Sequence, residues 1–168
     1  MKTQFITDQL HKNRNVFQGL LENVPKEVYL WRPSPKKWCL LEIVCHLFDE
    51  EREDFKARVK HTLETPDEKM APIDPVGWVK KRNYIGEDFD QKLTDFLIER
   101  DISVEWLRSL STPKWENISN HPKLGPITAG TFLASWLAHD YLHFRQITKL
   151  KYDYLESIGG DVGYAGGW

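Results

Sequence analysis

Apolar residues recur every three or four positions in four long segments of this chain, which is the spacing of amphipathic helices. In the first segment, Ile6, Leu10 and Phe17 fall on one face, and Pro25 ends the pattern because proline cannot continue a helix. The four predicted helices cover residues of about 4–23, 39–62, 87–110 and 128–151. No segment shows the sustained alternation of apolar and polar residues that is typical of a strand. The pattern therefore predicts an all-α four-helix bundle, built as a single domain over residues 1–168.

Two long connections, between helices 2 and 3 and between helices 3 and 4, are rich in proline and glycine and are predicted to be loops. They cover residues 64–85 and 111–127. Loops of about 20 residues are uncommon in compact domains and often form a lid or a wall of a binding site. Trp78 and Trp115 lie in these loops, where they would either line a pocket or simply cover the core. The glycine-rich residues 158–168 are predicted to form an irregular tail.

The composition is that of a globular protein and argues against two classes of partner. The 168 residues carry a net charge of −2, so there is no excess of basic residues to bind the phosphates of a nucleic acid. No run approaches the roughly 18 apolar residues of a membrane span, and residues 1–15 lack the apolar core of a secretory signal. Neither nucleic acid nor membrane is therefore expected as a partner, and the cytoplasm is the expected location.

Two histidines, His139 and His143, stand four residues apart on the apolar stripe of the fourth predicted helix. Residues at this spacing point the same way, so the two imidazoles could bind one metal ion. Catalytic metal sites usually have three protein ligands and one open position. His46, in the apolar half of the second helix, is the candidate for the third ligand. A hydrogen-bonded polar core without metal is the alternative, and the spacing alone favours neither.

Two longer motifs contain these histidines. The first, WCLLEIVCHLFDEE, covers residues 38–51, and the second, GPITAGTFLASWLAHDYLHFRQI, covers residues 125–147. The two motifs, their order along the chain, the chain length and the four-helix plan all match the pattern of the DinB-like superfamily. The chain therefore resembles this family over nearly its whole length. One departure is Cys39, because the family commonly has serine or threonine at this position. This departure affects helix capping and not the histidines.

The resemblance implies a divalent metal ion, most often zinc or nickel, held at the positions of His46, His139 and His143. Family members with a known activity include thiol-dependent transferases and an isomerase that use low-molecular-weight thiols. Many others are described as metal-dependent hydrolases without a known substrate, and members often form homodimers. The implied partners are therefore a small-molecule substrate, a low-molecular-weight thiol in the transferase case, and a second copy of the chain.

Three acidic residues lie close to these histidines in the sequence. Glu50, one turn after His46, is a candidate catalytic base or fourth ligand, and the alternative is a surface acid in the DEERED run. Asp49 and Asp140 are near enough in sequence to accept hydrogen bonds from the imidazoles, although either could instead be a solvated helix residue.

Two functional hypotheses follow from these residues. In the first, the protein is an enzyme whose metal ion activates water or a thiol for hydrolysis or group transfer. In the second, it is a non-catalytic, stress-related binding module, with either a structural metal closed by a fourth protein ligand or a metal-free polar core. An open coordination position beside a cavity would favour the enzyme.

Overall fold

The computed structural model describes residues 2–167 and shows a bundle of long helices with short elements in the connections. In chain order, the helices and strands are α1 (Thr3–Leu21), α2 (Lys26–Tyr29), α3 (Leu40–Glu50), α4 (Lys56–Glu64), α5 (Pro75–Lys81), α6 (Phe89–Ser109), β1 (Ile118–His121), β2 (Gly125–Thr128) and α7 (Ala129–Gly159). A π-helical turn over Glu51–Phe55 joins α3 to α4, so that these three pieces form one continuous helix. Short 3-10 turns cover Tyr84–Gly86 and Gly163–Ala165. The four long helices confirm the predicted all-α four-helix bundle.

The C-terminal end of α7 differs from the prediction. The helix continues to Gly159 rather than ending near residue 151, because residues 151–158 contain neither proline nor glycine. It ends where Gly160 takes a positive φ of 76° and donates its N–H to the carbonyl of Glu156 at 3.1 Å. The tail predicted for residues 158–168 therefore begins two residues later, and Trp168 lies outside the described residues.

The connection between α6 and α7 contains a two-stranded antiparallel hairpin, which the hydrophobic pattern did not predict. Ile118 pairs with Thr128, and His121 pairs with Gly125. Gly125 has a φ of 77°, a left-handed conformation that glycine adopts without a steric penalty. Thr128 then begins α7 by accepting a hydrogen bond from the N–H of Thr131 at 3.0 Å. With only four residues, each strand is too short for its alternation to be recognised in the sequence.

The core has two apolar regions that adjoin a group of buried charged residues. One region surrounds Phe17 and Phe96, whose rings meet edge to face with centroids 5.1 Å apart. The other surrounds Leu10, Leu133 and Trp136. Both regions exclude water and fix how the long helices pack. Within residues 2–167, no helix is long and apolar enough to cross a membrane.

Arg100 of α6 is at the centre of the buried charged group and is 1% exposed. Its guanidinium donates two hydrogen bonds to Glu51 at 2.8 and 2.9 Å and two to Asp140 at 2.8 Å. The fifth N–H donates to a backbone carbonyl of α1 at 3.3 Å. Asn13 adds a bond to Asp140, and the indole of Trp136 adds one to Glu51, each at 2.9 Å. This buried cluster, which we call the Arg100 cluster, therefore links α6 to the π turn and to α7.

Candidate metal centre

Three histidines from two helices, α3 and α7, come together at one point. His46 comes from α3, and His139 and His143 come from successive turns of α7. One ring nitrogen of each residue lies within 4.8 Å of the corresponding nitrogens of the other two. The ring centroids are 4.3 Å apart for the α7 pair, and those of His46 lie 5.6 Å from His139 and 5.1 Å from His143. The structure thus brings together the three histidines that the sequence singles out.

Two of these imidazoles are buried and electrically neutral at pH 7. His46 and His143 are each 6% exposed. Burial lowers the pKa of His46 to about 4, although the nearby Glu50 carboxylate opposes this shift. Burial, together with the two other histidines, lowers the pKa of His143 to about 2. Neutral imidazoles have a free lone pair, which is the form that binds metal ions.

Two ring nitrogens of this group are poorly satisfied by the protein itself. Nε2 of His139 lies 3.0 Å from Nε2 of His143. Nδ1 of His46 and of His143 has no hydrogen bond of normal geometry, although Gln146 lies near enough to His143 to oppose the fall in its pKa. Buried nitrogens without partners are unfavourable. One nitrogen of each ring could give its lone pair to a divalent metal ion, so the three rings form a suitable donor set for one.

Glu50 turns towards the histidines and not towards solvent. Its carboxylate lies 3.0 Å from Nε2 of His139 and 3.7 Å from Nε2 of His46, and the residue is 6% exposed. Burial raises the pKa of Glu50, but the hydrogen bond with His139 and the neighbouring His46 and Arg58 outweigh burial, so the pKa falls below its usual value. Glu50 is therefore a buried carboxylate beside the three rings, and the alternative of a surface acid is wrong.

Asp49 and Asp140 do not take the imidazole-orienting role considered for them, because each has other partners. Asp49 accepts hydrogen bonds from the Tyr84 hydroxyl at 2.5 Å and pairs with Arg82 at 2.7 Å. Asp140 belongs to the Arg100 cluster. The alternative of solvated acids is also wrong, because Asp49 is 7% exposed and Asp140 is fully buried. Both carboxylates instead hold the helices that carry the histidines.

A cavity of about 850 Å³ opens beside His139 and His143. One wall is a side of α7, and the other is the connector between α2 and α3, which contributes Lys37 and Trp38. The Trp38 ring lies 4.8 Å from the ring of His46, so the indole covers the histidine group on this side. A cavity of this size can take a small organic molecule.

The two long loops do not line this cavity, contrary to the role considered for them. Trp78 is buried in the core with the Arg82 guanidinium 4.1 Å above its ring. Trp115 borders a separate depression beside the start of α7. The wall comes instead from the proline-rich residues 31–38, whose role the apolar pattern could not reveal because the segment has no periodicity.

Comparisons with known proteins agree with this fold. A family model described as the DinB superfamily matches residues 9–147, a range that contains the three histidines and Glu50. Among solved structures, the chain is similar to YfiT from Bacillus subtilis, described as "a probable metal-dependent hydrolase with an unusual four-helix bundle topology". The sequence identity is 18%, the match covers 90% of this chain and 86% of YfiT, and the TM-score is 0.80. At this identity the likeness shows a shared fold only. Comparison with curated proteins gives no significant match.

Proposed function

This chain belongs to the DinB superfamily, and from that premise we propose that it is a metal-dependent enzyme. Three histidines, His46, His139 and His143, would hold a divalent ion, zinc or nickel. The observation that carries the proposal is the meeting of three imidazole nitrogens within 4.8 Å of one another beside a cavity of about 850 Å³. The description of YfiT as a probable metal-dependent hydrolase supports the same class of activity.

Bound at this site, the ion would supply Lewis acidity, which brings the pKa of water close to 7 and favours the thiolate form of a thiol. Glu50 is the candidate base, because its buried carboxylate can accept the proton that a nucleophile releases. Its carboxylate lies 3.0 Å from Nε2 of His139, the nitrogen that faces His143, so it would stand beside the bound ion. Trp38 and α7 enclose the cavity and exclude water from one side of the substrate.

The nucleophile in this proposal is either water, giving hydrolysis, or a low-molecular-weight thiol, giving group transfer to a small molecule. The motif resemblance supports both reactions. A homodimer stays a prediction of the same resemblance, and a cytoplasmic location stays a prediction of the sequence. The alternative function, a non-catalytic module with a structural metal, would use Glu50 as a fourth ligand. The cavity beside His139 and His143 favours the enzyme, because a closed structural site needs no such space.

Metal analysis of protein purified without a histidine-rich tag tests the ligand set. The wild-type protein is expected to contain about one divalent ion per chain, and zinc or nickel should raise the Tm of metal-depleted protein. The His143→Ala variant should lose both properties. The matched control, His11→Ala, removes an exposed histidine of α1 and should keep both. A wild-type protein without metal, and without any response to zinc or nickel, would reject the proposal.

The Glu50→Gln variant separates a base from a fourth ligand. If Glu50 is the base, the variant keeps its metal but lacks the hydrolysis of small esters, such as 4-nitrophenyl acetate, that we expect of the wild-type protein. If Glu50 closes a structural site, the variant loses the metal. The second result would favour the non-catalytic alternative.

A further inference from the structure

The cavity beside the histidines is basic, although the whole chain has a net charge of −2. Three cationic side chains line it, Lys37, Arg145 and Lys149, against one acid, Asp153. Asp153 is four residues after Lys149 and pairs with it. The acid in the cavity is therefore already matched with one of the cations.

Of the three cations that line the cavity, Lys37 and Arg145 have no acidic partner within 4.0 Å in the part of the chain that the structure describes. Both residues are exposed. They come from opposite walls, since Lys37 lies in the connector and Arg145 lies in α7. Two like charges that face one cavity attract an anion more strongly than either does alone.

The cavity also has an apolar part, to which both walls contribute, beside the polar side chains of Ser34 and Gln146. Leu142 and Leu150 line the cavity together with Trp38. The helix rises about 1.5 Å per residue, so Arg145 is about 3 Å and Lys149 about 9 Å along the axis from His143. The histidines and these two cations therefore line the same cavity at different heights along α7.

We propose that the cavity binds a small organic anion whose negative group lies between Lys37 and Arg145 and whose apolar body packs on Trp38. Carboxylate and phosphate share the chemistry that such a pair of cations recognises. The assignment of the anion as substrate rests on the proposed function, because the reacting group would lie at His139 and His143. The anion site itself depends only on the cavity.

Isothermal titration calorimetry with a matched pair of probes, 4-phenylbutyrate and its neutral amide 4-phenylbutanamide, tests the proposal. Both probes share the apolar body and differ in charge. We expect the carboxylate to bind more tightly. Lys37→Gln and Arg145→Gln should each weaken its binding by about threefold, and the double variant by about tenfold. The control Lys60→Gln removes an exposed cation of α4 outside the cavity and should change nothing.

The measurements are made on protein as purified and again after metal depletion, with the metal content of each sample determined. The preference for the carboxylate should survive metal depletion, because the two cations and not the ion produce it. Equal binding of the two probes, or no measurable binding of the carboxylate, overturns the proposal. A preference that disappears with the metal and is insensitive to both substitutions also overturns it. A protein that prefers the carboxylate through Lys37 and Arg145, but contains no metal and does not respond to zinc or nickel, would instead reject the metalloenzyme and leave the anion site standing.

Discussion

Replacing Arg100 by methionine should destabilise the folded protein by about 3–5 kcal/mol. The change removes all five hydrogen bonds of the guanidinium and leaves Glu51 and Asp140 as buried carboxylates without a counter-charge. Glu51 is 2% exposed and Asp140 is fully buried, so water cannot replace the lost partner. Asn13 and Trp136 each still donate one bond, which does not compensate a full negative charge.

The size of this effect makes it easy to measure. Domains are typically stable by about 5–15 kcal/mol, so the loss would be a large fraction of the total. For a chain of this length it corresponds to a fall in Tm of roughly 6–20 °C. Urea unfolding followed by circular dichroism gives the free energy of unfolding of the wild-type protein and the variant.

A triple variant identifies the cause of the loss. Arg100→Met combined with Glu51→Gln and Asp140→Asn removes the uncompensated charges while keeping side chains of similar size. It should therefore be more stable than Arg100→Met alone. An Arg100→Met variant whose free energy of unfolding lies within about 1 kcal/mol of the wild-type value would refute the reasoning. A triple variant no more stable than the single one would show that lost packing, and not buried charge, causes the effect.

Three further predictions concern other parts of the structure. Tyr84→Phe removes the buried hydroxyl that donates to Asp49 at 2.5 Å and should cost about 1.5–3 kcal/mol in urea unfolding; an unchanged midpoint would contradict the value of this bond. Thr128→Ala should cost about 1 kcal/mol by removing the cap of α7, whereas Thr128→Ser, which keeps the hydroxyl, should cost less. Metal-depleted protein should lose stability as the pH falls from 6.5 towards 4. In the unfolded chain His46 is protonated below about pH 6.5, whereas in the folded protein burial lowers its pKa to about 4, so a fall in pH favours the unfolded chain. Within that range His46→Gln should flatten the dependence of unfolding free energy on pH by up to about 1.4 kcal/mol per pH unit, and an unchanged slope would count against the burial of this ring.

The long helices and the histidine group were predictable because both depend on local spacing. Apolar residues at intervals of three and four mark the buried face of a helix wherever it packs. His139 and His143 share a face for the same reason. His46 could be placed on an inward face, but only the packing of α3 against α7 brings it within reach of the other two.

The Arg100 cluster was not predictable, because its members are far apart in the sequence. Glu51 lies in a run of charged residues that is usually solvated, and only its partners show that it is buried. Asn13 and Asp140 are 127 residues apart and still share a hydrogen bond. A charged residue is buried only where the fold supplies its partner, and no local pattern contains that information.

The hairpin and the cavity wall escaped prediction for a different reason. Strands of four residues are below the length at which alternation can be distinguished from chance. The connector over residues 31–38 has no repeating pattern, and Arg32 holds it by pairing with Glu42 at 2.8 Å. Such irregular segments are positioned by individual contacts and not by periodicity.

The π turn over Glu51–Phe55 has a consequence for how this chain is aligned with other helices. A π turn contains about one residue more than an α-helical turn, so the helix behaves like one with a single inserted residue. Each residue of an α-helix turns the chain by about 100°. An alignment without a gap at this turn would therefore misplace every position of α4 by about 100° around the helix axis, although α3 would still match.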